Sequence, residues 1–181
     1  MNTSNKLTLI RILLVPLFVM FFFGKFRYSV HISVLIFIIA SVTDSVDGYL
    51  ARKRNQVTVF GKFMDPLADK LLITAALVSF VEKGYINSWS AIIIISREFI
   101  VTGIRLVAVS ENKIIEANSW GKIKTISQIS AIILILINSC VLKVNIFNID
   151  FISVIVVIVV GLTVYSGYDY VKKNWKFINF K

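Results

Sequence analysis

Six long apolar segments divide this 181-residue chain, and they restrict its fold more than any other feature of the sequence. Each is close in length to the ~20 residues that an α-helix needs to cross a bilayer. Hydrophobic residues make up 57% of the chain, charged residues only 17%, and the mean hydropathy is +0.81, which is typical of a polytopic membrane protein. We therefore expect an all-α integral membrane protein, a six-transmembrane-helix bundle in which residues 1–181 form a single domain. The segments cover approximately residues 7–23, 29–50, 63–81, 88–109, 126–142 and 147–165.

The positions of Lys and Arg predict how these segments are oriented. Basic residues concentrate at residues 52–62, at 113–124 and at 172–181, and the opposite side has far fewer. Because positively charged loops stay on the cytoplasmic side, both termini are expected there. The net charge of +10 is spread between the apolar spans, which favours anionic lipid headgroups and phosphorylated substrates over nucleic acid as partners. The basic residues of the opposite side are Lys25, Arg27, Lys83 and Lys143.

Four aspartates stand where the second apolar segment ends and the third begins. Asp44 and Asp47 are three residues apart and Asp65 and Asp69 are four apart, so each pair shares one face of a helix if the flanks are helical. The connection between the two segments is short, so the two helices should be antiparallel neighbours. We therefore expect all four carboxylates to converge near the cytoplasmic membrane face.

Four carboxylates at that depth repel one another and require compensation. No His or Cys lies nearby, and oxygen ligands alone favour Mg²⁺ or Mn²⁺ over zinc. Four carboxylates suit two such ions that also hold a phosphate. The pattern therefore indicates transfer of a phosphorus-containing group, and the alternative is a set of polar residues in a cytosolic turn.

The stretch DSVDGYLARKRNQVTVFGKFMDPLADK, residues 44–70, resembles the signature of the CDP-alcohol phosphatidyltransferases at every fixed position. The resemblance implies that Asp44, Asp47, Asp65 and Asp69 bind two metal ions and that Asp69 is also the base acting on the acceptor hydroxyl. It further implies a multi-pass protein of the bacterial plasma membrane with a cytoplasmic active site, and it suggests a homodimer. The residues implied in holding the CDP moiety are Gly48, Ala51, Arg52 and Gly61.

A polar stripe opens the first segment, where Asn5, Thr8 and Arg11 follow one another at steps of three. Residues at this spacing share a helical face. We interpret the stripe as facing a ligand, with Asn5 and Thr8 toward CDP and Arg11 toward a second phosphate. In the alternative interpretation, a juxtamembrane helix meets lipid headgroups.

A second basic set lies further along the chain. Arg97 and Arg105 are eight residues apart, about two helical turns, and Lys122 and Lys124 lie where the fifth helix begins. Arginine inside an apolar segment is costly and usually marks a site, so we interpret this set as a pocket for the phosphate of the acceptor. In the alternative interpretation, Glu98 neutralises one arginine in a structural ion pair.

The segments REFIVTGIR, GKIKT and DPLADK resemble the bacterial members of the family that join CDP-diacylglycerol to sn-glycerol 3-phosphate and release CMP. An anionic acceptor explains why these segments carry Arg and Lys. Two alternatives remain open at this point. One is the same reaction with another acceptor, such as inositol phosphate or serine, and the other is a divalent-cation transporter, whose intramembrane carboxylates would also bind metal.

Overall fold

The computed structural model describes residues 3–54, 59–110, 119–141 and 149–175. It describes their side chains except at 3–7, 44–54, 59–63, 65–66, 69, 109–110, 141 and 149–150. The described residues form six α-helices, which confirms the all-α prediction. The helices are α1 (Thr3–Phe22), α2 (Ser29–Arg54), α3 (Val59–Glu82), α4 (Ser88–Ser110), α5 (Ser119–Val141) and α6 (Ile149–Lys173).

The described residues group into two compact units. The first lies within Met1–Phe80 and Leu136–Val144, and the second within Val81–Ile135 and Asn145–Lys181. Buried phenylalanines pack the first unit: the ring centroids of Phe18 and Phe22 are 5.7 Å apart, Phe18 and Phe37 5.8 Å, and Phe22 and Phe80 5.8 Å. Because such pairs add about 0.5–1.5 kcal/mol each beyond their buried area, they hold α1 against both α2 and the end of α3.

In the second unit, residues 83–87 join the end of α3 to the start of α4. Gly84 has a φ of 72°, and its N–H donates to the carbonyl oxygen of Val81 at 3.0 Å. Only glycine adopts this left-handed conformation without penalty, so Gly84 ends α3. The side-chain oxygen of Asn87 accepts hydrogen bonds from the backbone N–H of Trp89 at 2.7 Å and of Ser90 at 3.4 Å. Asn87 therefore caps α4.

Packing within the second unit brings α4 and α5 against α6. Helix α4 packs against α6. The rings of Trp120 on α5 and Tyr165 on α6 meet edge to face with centroids 4.9 Å apart. Tyr170 is among the fully buried side chains of this unit. These contacts place the first turns of α5 and the last turns of α6 beside α4.

Two helices, within Ser119–Cys140 and Phe151–Lys173, are long and apolar enough to cross a membrane by length and composition, in the part of the chain that the structure describes. In the helix within Phe151–Lys173, only 28% of the most apolar 18-residue stretch is buried inside the structure. A long apolar helix that stays uncovered by protein is suited to contact with lipid.

The predicted bounds agree with the structure for the first four segments but are wrong at two later ends. Helix α5 begins at Ser119, seven residues before the apolar run at 126, and α6 continues to Lys173, eight residues beyond the predicted end at 165. Both extensions are polar, so the hydrophobic pattern did not include them. The contact of Trp120 with Tyr165 stabilises both extensions, because tertiary packing holds these turns helical where hydrophobicity alone would not.

Candidate functional site

Three charged side chains of the second unit meet on α4 and α5, and we call Arg97, Glu98 and Lys124 the α4–α5 ion cluster. Arg97 Nη1 donates to Glu98 Oε1 at 3.3 Å, and Lys124 Nζ donates to the same oxygen. The three side chains are 13%, 12% and 1% exposed. Two cations thus converge on one carboxylate oxygen.

This geometry bears on both interpretations of the second basic set. Glu98 does form an ion pair with Arg97, as the structural alternative required. The same carboxylate also pairs with Lys124. Two cations side by side are a setting in which an anionic ligand forms charge-assisted hydrogen bonds. The structure therefore brings Arg97 and Lys124 together in an arrangement suited to a phosphate.

Arg105 and Lys122 lie at the edge of the second unit. Both are exposed, and the Arg105 guanidinium carbon stands 5.4 Å from the ring centroid of buried Tyr170. A guanidinium over an aromatic face is held by cation–π attraction while its N–H groups remain available to a ligand. Of the four predicted cations, Lys124 is buried, Arg97 is 13% exposed, and Arg105 and Lys122 are exposed.

Further polar atoms of the second unit are buried without a hydrogen-bond partner among the described residues. They are Arg97 Nε, Gln128 Nε2 and the Tyr170 hydroxyl. Gln128 is 2% exposed and lies one turn beyond Lys124 on α5. A buried donor without an acceptor costs about 1–3 kcal/mol, so unsatisfied donors beside an ion cluster are suited to a ligand rich in oxygen. No prediction included Gln128, although its position four residues after Lys124 in an apolar run was a usable signal.

Helix α1 in the first unit positions the polar stripe. Thr8 and Arg11 are each 2% exposed. Both side chains are therefore covered by other parts of the protein, and their assignment to a ligand stays a prediction. The side chain of Asn5 lies outside those that the structure describes.

The signature residues lie on the helices that the sequence predicted. The backbone is helical at Asp44 and Asp47 in α2 and at Asp65 and Asp69 in α3, so the spacings of three and four are helical spacings. Their side chains, with those of Gly48, Ala51, Arg52 and Gly61, lie outside the described ones, and the predicted metal site remains a prediction. Among the side chains that the structure describes, no group of three His, Cys, Asp or Glu could hold a metal ion.

The donor set itself fits the predicted ions. Four carboxylates from two helices provide oxygen ligands alone, which hard cations such as Mg²⁺ and Mn²⁺ prefer. The carboxylates also carry enough negative charge for two divalent ions.

Comparison with known proteins settles the family. The family model described as CDP-alcohol phosphatidyltransferase matches residues 1–165. The chain belongs to the CDP-alcohol phosphatidyltransferase family. It is 43% identical to a CDP-diacylglycerol--glycerol-3-phosphate 3-phosphatidyltransferase of Bacillus subtilis over 97% of this chain and 96% of that relative. An enzyme of the same name from Haemophilus influenzae is 45% identical over 72% of this chain and 73% of its own length. Another from Rickettsia felis is 33% identical over 97% of this chain and 97% of its own length.

Membership of the CDP-alcohol phosphatidyltransferase family confirms the predicted resemblance and makes the chain a transferase of phospholipid biosynthesis. The family is generally metal-dependent. Membership also leaves the divalent-cation transporter without support. The site residues predicted from the sequence, from Asn5 to Lys124, lie within the residues 1–165 that the family model matches.

Proposed function

We propose that this chain transfers the phosphatidyl group of CDP-diacylglycerol to sn-glycerol 3-phosphate, forming phosphatidylglycerophosphate and CMP. Relatives at 33–45% identity carry the name of this reaction, and their similarity extends over most of the chain. The oxygen of the primary hydroxyl of glycerol 3-phosphate forms a bond to the phosphorus that carries diacylglycerol. The bond from that phosphorus to the oxygen bridging to CMP breaks, and CMP leaves with the electron pair.

The observation that carries the choice of acceptor is the α4–α5 ion cluster. Its two cations, Arg97 and Lys124, converge on Glu98, and the side chains of Glu98 and Lys124 are 12% and 1% exposed. A phosphate dianion suits such a site because its oxygens accept several charge-assisted hydrogen bonds at once. Serine carries no phosphate and would not require this charge. Arg105 and Lys122 extend the basic surface outward, where they would meet the acceptor first.

For the nucleotide substrate, we assign the metal ions to Asp44, Asp47, Asp65 and Asp69. When bound, the ions would offset the charge of the diphosphate. We assign the CDP moiety to Gly48, Ala51, Arg52 and Gly61, with Asn5 and Thr8 of α1. Small residues at Gly48 and Gly61 allow a ligand to approach a helix backbone closely.

The hydroxyl proton must leave as the new bond forms. A carboxylate within reach can accept it, and a positioned base contributes roughly 10²–10⁴ in rate. By resemblance to the family signature, we assign this role to Asp69. The three remaining aspartates then serve as metal ligands, and Asp69 serves both roles.

We further propose the environment in which the reaction takes place. All six helices cross a bacterial plasma membrane, with both termini and the active site on the cytoplasmic side. The apolar length of α5 and α6 and the concentration of Lys and Arg on one side support this topology. A homodimer and the use of two ions of Mg²⁺ or Mn²⁺ complete the proposal.

The test is CMP release by the full chain in detergent micelles containing CDP-diacylglycerol. Glycerol 3-phosphate, serine, inositol and inositol 1-phosphate are offered separately, with a reaction lacking any acceptor as the control for hydrolysis. We expect CMP above the control only with glycerol 3-phosphate, together with a lipid product that carries two phosphates. Faster release with serine would contradict the assigned acceptor, and no release with any alcohol would contradict the reaction itself.

A further inference from the structure

The side chain of Arg97 lies directly against α6 at Gly167. A Cβ built on Gly167 would stand 3.0 Å from Arg97 Cγ and 4.0 Å from Arg97 Nε. Ordinary contacts of a Cβ begin near 3.4 Å, so any other residue at this position would push the arginine away by a few tenths of an ångström. Position 167 thus has no room for a side chain while Arg97 keeps its place.

The outer end of the same side chain reaches α5 at a second glycine. A Cβ on Gly121 would stand 3.7 Å from Arg97 Nη2, which is ordinary van der Waals contact. The arginine therefore extends from α6 to α5, pressed tightly at its base by Gly167 and touched lightly at its tip near Gly121. Small residues are commonly found where membrane helices approach closely, but here the space is filled by one charged side chain.

Few polar contacts hold the guanidinium in that position. Nη1 donates to Glu98 Oε1 at 3.3 Å, and the buried Nε has no hydrogen-bond partner among the described residues. A displacement at Cγ would therefore be passed on to the guanidinium with little to resist it. Glu98 also receives Lys124, so a shift of Arg97 would disturb both cations of the α4–α5 ion cluster.

We propose that Gly167 is a positioning residue for the acceptor site: by lacking a Cβ, it lets Arg97 lie against α6 with its guanidinium where the acceptor phosphate binds. The inference rests on the proposed function, since it assigns the cluster to that phosphate. Gly167 itself touches no substrate and acts through Arg97. The sequence segment YSGYDY around it lies outside every motif described above.

The test compares Gly167→Ala with Gly161→Ala in the full chain. Both glycines lie on α6, and a Cβ on Gly161 meets nothing within 4 Å, so Gly161→Ala is a matched control. A misplacement of about 1 Å can lower activity roughly 10²-fold, so a few tenths should raise the KM for glycerol 3-phosphate about three- to tenfold. The KM for CDP-diacylglycerol should change less than about twofold in either variant, because the contact lies at the acceptor cations only.

A double-mutant cycle with Arg97→Ala tests whether Gly167 acts through the arginine. Alanine has no Cγ, so adding Gly167→Ala to Arg97→Ala should leave the KM for glycerol 3-phosphate unchanged. The proposal is overturned if Gly167→Ala behaves like Gly161→Ala, if it raises both KM values equally, or if its effect persists without Arg97.

A thermal unfolding series separates this inference from the proposed function. Alanine is the better helix former, so Gly161→Ala should raise the melting temperature, and Gly167→Ala should do so only in the Arg97→Ala background. If the wild type releases no CMP with glycerol 3-phosphate, the proposed function fails, and these melting temperatures alone decide whether Gly167 positions Arg97. Equal increases from Gly161→Ala and Gly167→Ala with Arg97 present would contradict that contact.

Discussion

Removing the shared carboxylate of the α4–α5 ion cluster should destabilise the protein far more than removing either cation that it binds. Glu98→Gln leaves two cations in surroundings where the Arg97 side chain is 13% exposed and the Lys124 side chain 1%. Lys124→Met leaves Arg97 and Glu98 as a neutral pair. The two substitutions thus change the charge of the cluster in opposite directions, Glu98→Gln by one unit toward positive and Lys124→Met by one unit toward negative.

The expected magnitudes follow from this asymmetry. Removal of one partner from a buried ion pair costs about 3–5 kcal/mol of stability, and Glu98→Gln removes the carboxylate that two cations share. For a chain of this size, that loss lowers the melting temperature by roughly 6–20 °C. Lys124→Met loses a charge-assisted hydrogen bond but also relieves the burial of an ammonium group, so we expect less than about 1.5 kcal/mol.

Thermal unfolding of the purified proteins in one detergent, followed by tryptophan fluorescence, measures the difference. Glycerol 3-phosphate added at saturation should raise the melting temperature of Glu98→Gln more than that of the wild type, because the dianion replaces the missing negative charge. The double variant Glu98→Gln with Lys124→Met should melt above Glu98→Gln alone, since it buries one cation fewer. Equal losses for Glu98→Gln and Lys124→Met would refute the reasoning that a single carboxylate balances both cations.

Three further predictions concern the reaction. EDTA should abolish CMP release and Mg²⁺ or Mn²⁺ should restore it, because aspartates without bound cations repel a diphosphate. Full activity in EDTA would contradict the metal site. Asp69→Asn should lower kcat roughly 10²–10⁴-fold while CDP-diacylglycerol still binds. Arg52→Ala should instead weaken the binding of CDP-diacylglycerol, with a smaller effect on kcat. If Asp69→Asn kept more than about a tenth of the wild-type rate, Asp69 would be excluded as the base. Arg105→Ala and Lys122→Ala should each raise the KM for glycerol 3-phosphate and not that for CDP-diacylglycerol, and equal increases would contradict separate binding of the acceptor.

Much of the fold could be predicted because hydrophobic length is a local property of the sequence. The starts of α2 at Ser29 and of α4 at Ser88 coincide with predicted starts, and the aspartate pairs lie in helices as expected. The start of α5 could not be found this way, because Trp120 packs on a residue of α6 that is distant in the sequence. Hydropathy contains no information on such a contact.

The candidate site divides in the same manner. Residue types and helical spacing identified Arg97 and Lys124 as members of one basic set, since charges in apolar runs are conspicuous. The pairing of Lys124 with Glu98 joins residues 26 positions apart and depends on how α4 packs beside α5. Gly167 lacked any such mark, because a glycine in an apolar helix is unremarkable until its neighbours are known. Its surroundings became visible only with the tertiary structure.

The contrast between the buried Lys124 and the exposed Arg105 and Lys122 means that ionic strength acts on these cations differently. Mobile ions screen exposed charges over about 8 Å at physiological salt but scarcely reach buried ones. Arg105 and Lys122 are exposed, so their long-range attraction for an anion weakens as salt rises. Lys124, 1% exposed, keeps its local field. If this basic set binds the acceptor as proposed, salt should slow the capture of the anion and leave its residence time nearly unchanged. The rate of encounter and the strength of retention would then depend on different residues of one basic set.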